Sequence, residues 1–113
     1  MANSFVNKKV DLTTTNATTL YTAPTAATSI IKSILVSEDS GNADTITVTI
    51  TDTSDAVFSL FKTKAISANA TTELLTAPLV LQQKEVLKVT AATANRLHVV
   101  LSALESKPRE VIT

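Results

Sequence analysis

Apolar and polar residues alternate with a period of two along most of the chain. In residues 45–51, Ile46, Val48 and Ile50 share one face and threonines occupy the other. This alternation is typical of an antiparallel strand with one buried face, whereas a helix would scatter these residues around its circumference. The pattern predicts strands at residues 5–12, 19–23, 28–37, 45–51, 56–62, 71–76, 79–81, 85–90 and 96–104.

The number and spacing of these segments predict one all-β domain. Strands that recur about every 8 to 12 residues are typical of sandwiches and barrels, and a chain of 113 residues is long enough for one such core. We therefore expect an antiparallel β-sandwich of about eight strands with jelly-roll-like or immunoglobulin-like connectivity. The predicted core comprises Val10, Leu12, Leu20, Ile31, Ile34, Leu35, Ile46, Val48, Ile50, Phe58, Leu60, Leu74, Leu87, Val89, Leu97, Val99 and Leu101.

The two ends of the chain differ from the predicted sandwich. Residues 1–105 are expected to form the domain with a short polar N-terminal arm, and residues 106–113 to form a C-terminal tail. The tail contains Pro108 and alternating charges, which is typical of a frayed end. The alternative is a tail that lies on a neighbouring subunit, with Val111 and Ile112 as its apolar contacts.

The chain contains one glycine, Gly41, which is unusual for an all-β protein. Asparagine and aspartate occupy the predicted turns instead. Both residue types tolerate left-handed backbone angles and form local hydrogen bonds, so they can replace glycine. The residues that we expect in this role are Asn16, Asn42, Asp55, Asn69 and Asn95.

Composition and charge exclude several classes of function. The chain has ten acidic and ten basic residues, 4% aromatic residues and no cysteine. A nucleic-acid-binding protein needs a basic excess, and a disulfide scaffold or thiolate zinc site needs cysteine. No apolar run approaches the roughly 20 residues of a membrane span, and the N-terminus lacks the apolar region of a signal peptide. We expect neither a nucleic-acid nor a membrane partner, and synthesis inside the cell.

Candidate chemistry is sparse. His98 is the only histidine, and no Gly-x-Ser-x-Gly nucleophile elbow accompanies it, so we expect a surface or structural histidine and no enzyme. Residues 38–44 are rich in oxygen atoms, which favours a solvated turn and leaves a calcium site as the alternative. We predict no catalytic, cofactor-binding or metal-ligating residue and no cofactor.

The outward threonines suit a surface that contacts another protein. Thr45, Thr47 and Thr49 give an uncharged strand face, which can meet another protein with little desolvation of charge. We predict these residues as an interface. The alternative is a surface that the hydroxyl groups keep soluble.

Several of these strands together resemble small virion proteins of tailed bacteriophages. Residues 19–24 read Thr-Leu-Tyr-Thr-Ala-Pro and residues 29–37 read Ser-Ile-Ile-Lys-Ser-Ile-Leu-Val-Ser. They are similar to the family pattern "Leu-Tyr-Thr-x-Pro" followed by "x-Ile-x-Lys-Ser-Ile-Leu-Val-x". The family's alternating Val/Thr strand, its "Leu-Leu" and its "x-Val-Leu-Lys-Val-Thr-Ala" correspond to residues 45–50, 73–75 and 85–91. The resemblance spans roughly residues 18–104.

The resemblance implies a non-enzymatic structural protein of the virion, assembled in the bacterial host cytoplasm. Its first implication is a capsid decoration (cement) protein that binds the major capsid protein. We expect it to be a homo-oligomer, in particular a trimer. A neck, collar, tail or fibre-base protein that binds other virion proteins is the alternative within this class. A surface- or sugar-binding adhesin domain is a further alternative, although the single tyrosine and the absence of tryptophan leave few residues that stack on sugars.

Overall fold

The computed structural model describes residues 2–107, and these residues contain nine β-strands and no helix. The strands are β1 (Ala2–Asp11), β2 (Thr18–Thr22), β3 (Thr28–Glu38), β4 (Asp44–Thr51), β5 (Val57–Ile66), β6 (Thr71–Glu73), β7 (Leu79–Leu81), β8 (Val86–Ala91) and β9 (Leu97–Lys107).

The strands form two antiparallel sheets that pack as a sandwich. The five-stranded sheet has the order β1-β9-β3-β6. β6 and β7 both pair with β3, β6 at residues 35–37 and β7 at residues 29–31. The four-stranded sheet has the order β2-β8-β4-β5. The all-β sandwich predicted from the sequence is therefore confirmed.

The order of the strands is that of a jelly roll. The chain pairs β1 with β9, β2 with β8, β3 with β7 and β4 with β5, so the two halves of the chain form one long antiparallel ribbon. The ribbon then wraps so that β9 meets β3 and β8 meets β4. This wrapping produces the two sheets of a jelly roll, with β6 and β7 together in the fourth position of one sheet. The connectivity is therefore jelly-roll-like and not immunoglobulin-like.

The core lies between the sheets and consists of the inward residues of the alternating strands. Its largest members include Leu12, Ile31, Ile34, Ile46, Leu87 and Leu101, all predicted from the sequence. Leu35, Phe58 and Leu60 were predicted in the core, but they are exposed. Leu35 faces outward on β3, and Phe58 and Leu60 lie on β5 at an open edge of the sandwich. Tyr21, Val36, Ile66 and Leu81 are buried members of the core that the prediction omitted.

The ends of the sheet reach further than the sequence pattern indicates. β1 begins at Ala2, inside the predicted N-terminal arm, because it pairs with β9 from Ala2 opposite Lys107 onward. β9 likewise continues two residues past position 105, to Lys107. The remaining tail, with Val111 and Ile112, lies outside the described residues, so its predicted contacts stay a prediction.

One predicted strand is shorter than expected. Residues 71–76 were predicted as a strand, but β6 ends at Glu73 and the ladder on β3 resumes only at Leu79. Pro78 cannot donate to a ladder. The Glu73 carboxylate replaces part of the missing pairing, since it accepts hydrogen bonds from the hydroxyl of Ser33 and from the backbone N–H groups of Ile34 and Leu75.

The turns use asparagine and aspartate largely as predicted. Gly41, Asp55, Asn69 and Asn95 have positive φ angles. Asn16 and Asn42 are not among the positive-φ residues, whereas Ala26, Thr63 and Lys84 are. Thr63 is notable because a β-branched side chain is costly at a φ of 49°.

Candidate functional site

The predicted threonine interface lies on the outer face of the four-stranded sheet. Thr45, Thr47 and Thr49 are half-buried on β4, with Thr47 opposite Thr90 and Thr49 opposite Lys88. The hydroxyl oxygen of Thr47 accepts a hydrogen bond of 3.0 Å from the backbone N–H of Thr63, so it also stabilises an irregular part of β5. The outward orientation of these threonines is confirmed, and their role as an interface stays a prediction.

A more apolar surface crosses the outer face of the five-stranded sheet. Phe5, Leu104, Ile30 and Val80 are direct cross-strand neighbours on β1, β9, β3 and β7. Phe5 is 81% exposed and Val80 is 49% exposed, while Leu104 and Ile30 are half-buried between them. We call these four residues the apolar row.

A second row crosses the same face and carries a charge at each end. Lys9, Val100, Leu35 and Glu73 are cross-strand neighbours on β1, β9, β3 and β6. Burial alone would raise the pKa of Glu73, but the hydrogen bonds from Ser33, Ile34 and Leu75 outweigh it and lower the pKa. Glu73 therefore carries its negative charge at neutral pH. We call these four residues the mixed row.

The sequence did not identify the apolar row as a surface. Strand alternation places Phe5 and Val80 on the face opposite to the core residues of their own strands, but this does not show that they align with each other. The alignment depends on the pairing of four strands that are distant in sequence.

Another apolar surface lies at the edge of the four-stranded sheet. Among the strands of residues 2–107, β5 pairs only with β4, and it exposes Val57 (61%) and Phe58 (56%) at one end. Leu60 and Phe61 on β5 line a shallow groove together with residues 74–79, the segment that leads from β6 into β7. Val57 pairs opposite Thr51 and faces outward, whereas Phe58 pairs opposite Ile50 on the inner side of the sheet. We call the exposed side chains of Phe58 and Leu60 the edge patch.

His98 lies on the outer face of the five-stranded sheet. Its Nε2 atom is 3.2 Å from Oδ1 of Asp11, and its Nδ1 atom is 3.4 Å from Oδ2 of Asp39. All three side chains are at least 44% exposed, so ion pairs between them contribute little to stability. Cross-strand from His98, Ser37 lies on a regular strand and not on a strained turn, so the group lacks the nucleophile elbow of a hydrolase.

The oxygen-rich loop at residues 38–44 is organised by Glu38. Its carboxylate is buried and accepts hydrogen bonds from the hydroxyl and N–H of Ser40 and from the N–H groups of Gly41 and Asn69. Burial alone would raise the pKa of Glu38, but these bonds outweigh it and lower the pKa to about 2. Both carboxylate oxygens bind the protein's own backbone. Within residues 2–107, no three histidine or carboxylate side chains converge in a way that could hold a metal ion.

A buried polar cluster connects the two sheets. The hydroxyl of Tyr21 on β2 donates to Oε2 of Glu105 on β9 at 2.6 Å and lies 2.7 Å from Oγ of Ser29 on β3. The pKa of Tyr21 is raised to about 12, mainly because the side chain is buried and secondly because it is hydrogen-bonded to Glu105. Tyr21 is only 2% exposed, so it cannot stack on a sugar.

Within the described part of the chain there is no helix of the length and apolarity that a membrane crossing requires.

Comparison with known proteins adds no family assignment. The chain matches no protein-family model and no curated protein sequence.

Proposed function

We propose that this chain is a non-enzymatic structural protein of a bacteriophage virion. In this proposal it binds the outer capsid surface as a decoration (cement) protein, alongside the major capsid protein. It acts as a homo-oligomer and is incorporated during assembly in the bacterial cytoplasm. The observation that carries the proposal is the presence of separate apolar surfaces on the two sheets of one small domain, the apolar row and the edge patch.

Two separate surfaces suit a protein that bridges its neighbours. Phe5 at 81% exposure and Phe58 at 56% each offer large apolar area to a partner, and they belong to different sheets. Exposed apolar surfaces of this kind are typical of contact sites between proteins. A domain with two such sites can contact two subunits at once, and binding at many equivalent positions on a particle makes modest contacts sufficient.

The fold and the sequence resemblance support the same role. Jelly-roll sandwiches occur in viral capsid domains and in lectins, although a fold alone does not define a function. The strand motifs at residues 19–24, 29–37 and 85–91 resemble virion proteins of tailed phages. The tail at residues 106–113 is an additional candidate contact in this proposal.

Electron cryomicroscopy of the purified phage particle that carries this chain tests the proposal. We expect density for the sandwich at regularly repeated positions on the outer capsid, with the apolar row or the edge patch against neighbouring subunits. Density at the neck or tail would overturn the decoration role and favour the alternative virion role. Absence of the chain from purified particles by mass spectrometry would overturn both.

A surface- or sugar-binding domain is the second candidate function. Phe5 borders a shallow depression lined by Asn7, Lys32 and Ser102, which places an exposed aromatic ring beside hydrogen-bonding groups. Glycan-array binding measures this activity, with Phe5→Ala as the loss variant and Phe58→Ala as the matched control at another exposed phenylalanine. Binding that Phe5→Ala abolishes would favour this candidate, and no binding would count against it.

A further inference from the structure

The outer face of the five-stranded sheet has a composition that is complementary to itself. We infer that this face is the interface of a symmetric dimer, in which a second copy of the chain packs face to face about a two-fold axis parallel to the strands. The axis runs between β3 and β9, the two central strands of the sheet. A dimer through this face takes the place of the trimer expected from the sequence. It rests on the proposed assembly role, in which the partner is a second copy of the chain.

The apolar row is complementary to itself under this rotation. Its order across the sheet is Phe5, Leu104, Ile30 and Val80. Rotation about an axis parallel to the strands keeps each residue at its level and reverses its order across the sheet. Phe5 of one copy then faces Val80 of the second copy, and Leu104 faces Ile30. The two most exposed apolar side chains of this face therefore cover each other.

The mixed row is complementary to itself in charge under the same rotation. Its order is Lys9, Val100, Leu35 and Glu73. The same rotation places Lys9 opposite Glu73 of the second copy and Val100 opposite Leu35. Each dimer would thus gain two oppositely charged pairs at the rim and two apolar pairs between them, which is the usual arrangement of a polar rim around an apolar centre.

The other charged groups of this face are compatible with the same axis. Lys32, at the irregular position of β3, would face Ser102 of the second copy, and Asp11 would face Thr71. Among Lys9, Asp11, Lys32 and Glu73, no two charges of the same sign come opposite each other, so these groups avoid the repulsion that excludes many self-pairings.

A two-fold axis across the strands gives a poorer fit. An axis through the level of Ser102 would place the apolar row over the mixed row. Phe5 would then face Lys9 of the second copy, and Val80 would face Glu73. That contact would bury four charged groups, two from each copy, against apolar side chains, which is costly unless the charges are paired. The arrangement of the rows therefore selects the axis parallel to the strands.

The size of the face agrees with a specific interface. Neighbouring strands lie about 4.8 Å apart and residues about 3.4 Å apart along a strand, so four strand positions and ten residues cover roughly 600 Å² per copy. Two copies would bury about 1,200 Å², at the lower end of the range for specific protein interfaces. The dimer should accordingly be one of modest affinity.

Sedimentation analysis of two matched variants tests the interface. Val80→Asp places a carboxylate in the contact, and the two-fold axis makes this happen twice, so the dissociation constant should rise at least about a hundredfold. Val57→Asp is the control, because it makes the same change at a more exposed valine on the other sheet. Circular dichroism confirms that both variants fold. Lys9→Glu should weaken the dimer by about tenfold, whereas Lys62→Glu on β5 should leave it unchanged.

Cross-linking tests the axis, because the natural chain has no cysteine. Packed sheets lie about 10 Å apart, which is too far for a disulfide but within reach of a short bismaleimide. An equimolar mixture of the Phe5→Cys and Val80→Cys proteins should give a cross-linked dimer. Phe5→Cys alone should give little product, since the two copies of residue 5 lie at opposite sides of the interface.

The outcomes separate this inference from the virion role. A dimer that Val80→Asp dissociates and Val57→Asp preserves supports it, as does selective cross-linking of the mixture. A monomeric or trimeric wild-type protein, or a dimer that Val80→Asp leaves intact, would overturn the two-fold interface without touching the virion role. Absence of the chain from particles would overturn the virion role and leave a measured dimer standing.

Discussion

The hydroxyl group of Tyr21 should be one of the most sensitive single groups in the protein. Tyr21→Phe preserves the ring in the core but removes a 2.6 Å hydrogen bond to Glu105 and a 2.7 Å contact with Ser29. A hydrogen bond to a charged group contributes about 1.5–3 kcal/mol and a neutral one about 0.5–1.5 kcal/mol. Since the variant also leaves the buried Glu105 carboxylate without this donor, we expect a loss of about 2–4 kcal/mol from the free energy of unfolding.

Urea unfolding followed by circular dichroism at neutral pH measures this loss. A double-mutant cycle with Glu105→Leu provides the control, because the leucine replaces the buried carboxylate with an apolar side chain. In that background Tyr21→Phe should cost less than about 1.5 kcal/mol, the value of the remaining contact with Ser29. A cost below about 0.5 kcal/mol in the wild-type background, or an equal cost in both backgrounds, would refute the reasoning.

Titration of the same residue gives an independent readout. Tyr21 is the only tyrosine and the chain has no tryptophan, so tyrosinate absorbance reports this side chain alone. Its pKa is raised from 10.0 to about 12 in the folded protein, so the unfolded chain loses this proton first as the pH rises. The stabilisation is therefore complete below pH 10 and is lost between pH 10 and about 12. Tyr21→Phe should lack this component of alkaline destabilisation.

Three further variants test the structure elsewhere. Glu38→Gln should destabilise the protein at neutral pH, and because the pKa of Glu38 falls from 4.5 to about 2 on folding, the difference in urea midpoint from wild type should shrink as the pH falls from 4.5 towards 2. An undiminished difference at low pH would contradict this. Ile34→Ala removes a fully buried side chain and should cost about 2–5 kcal/mol in urea unfolding, whereas a cost below about 1 kcal/mol would disprove close packing there. Thr63→Asn should raise the thermal midpoint, with a gain of up to about 1 kcal/mol, because asparagine tolerates the φ of 49° better than threonine. A lowered midpoint would show that the threonine side chain contributes more stability than the relief of backbone strain provides.

The sequence predicted the strands more accurately than it predicted what covers them. The alternation in residues 45–51 correctly placed Ile46 and Val48 inward and the threonines outward, because side-chain direction in a strand has a strict period of two. Asp55, Asn69 and Asn95 were correctly placed at left-handed turn positions, because this preference is a local property of the side chain.

Predictions failed where burial depends on a distant element. Phe58 faces the inner side of its sheet opposite Ile50, yet it is 56% exposed because it lies on an edge strand at an open side of the sandwich. Leu35 occurs in a segment that is apolar on both faces, so the sequence did not show which face would be inward. The buried role of Glu38 was also missed, because its partner Asn69 lies in a different turn.

The sequence by itself determined an all-β chain, the positions of most strands, the outward threonines and the use of asparagine and aspartate in turns. These features follow from local periodicity and from the backbone preferences of single residues. Only the tertiary structure decided the jelly-roll connectivity, the Tyr21 cluster between the sheets, and the alignment of Phe5 with Val80 across four strands. Such features depend on the register between segments far apart in the chain, and the pairing of strands fixes that register while the alternation within one strand does not.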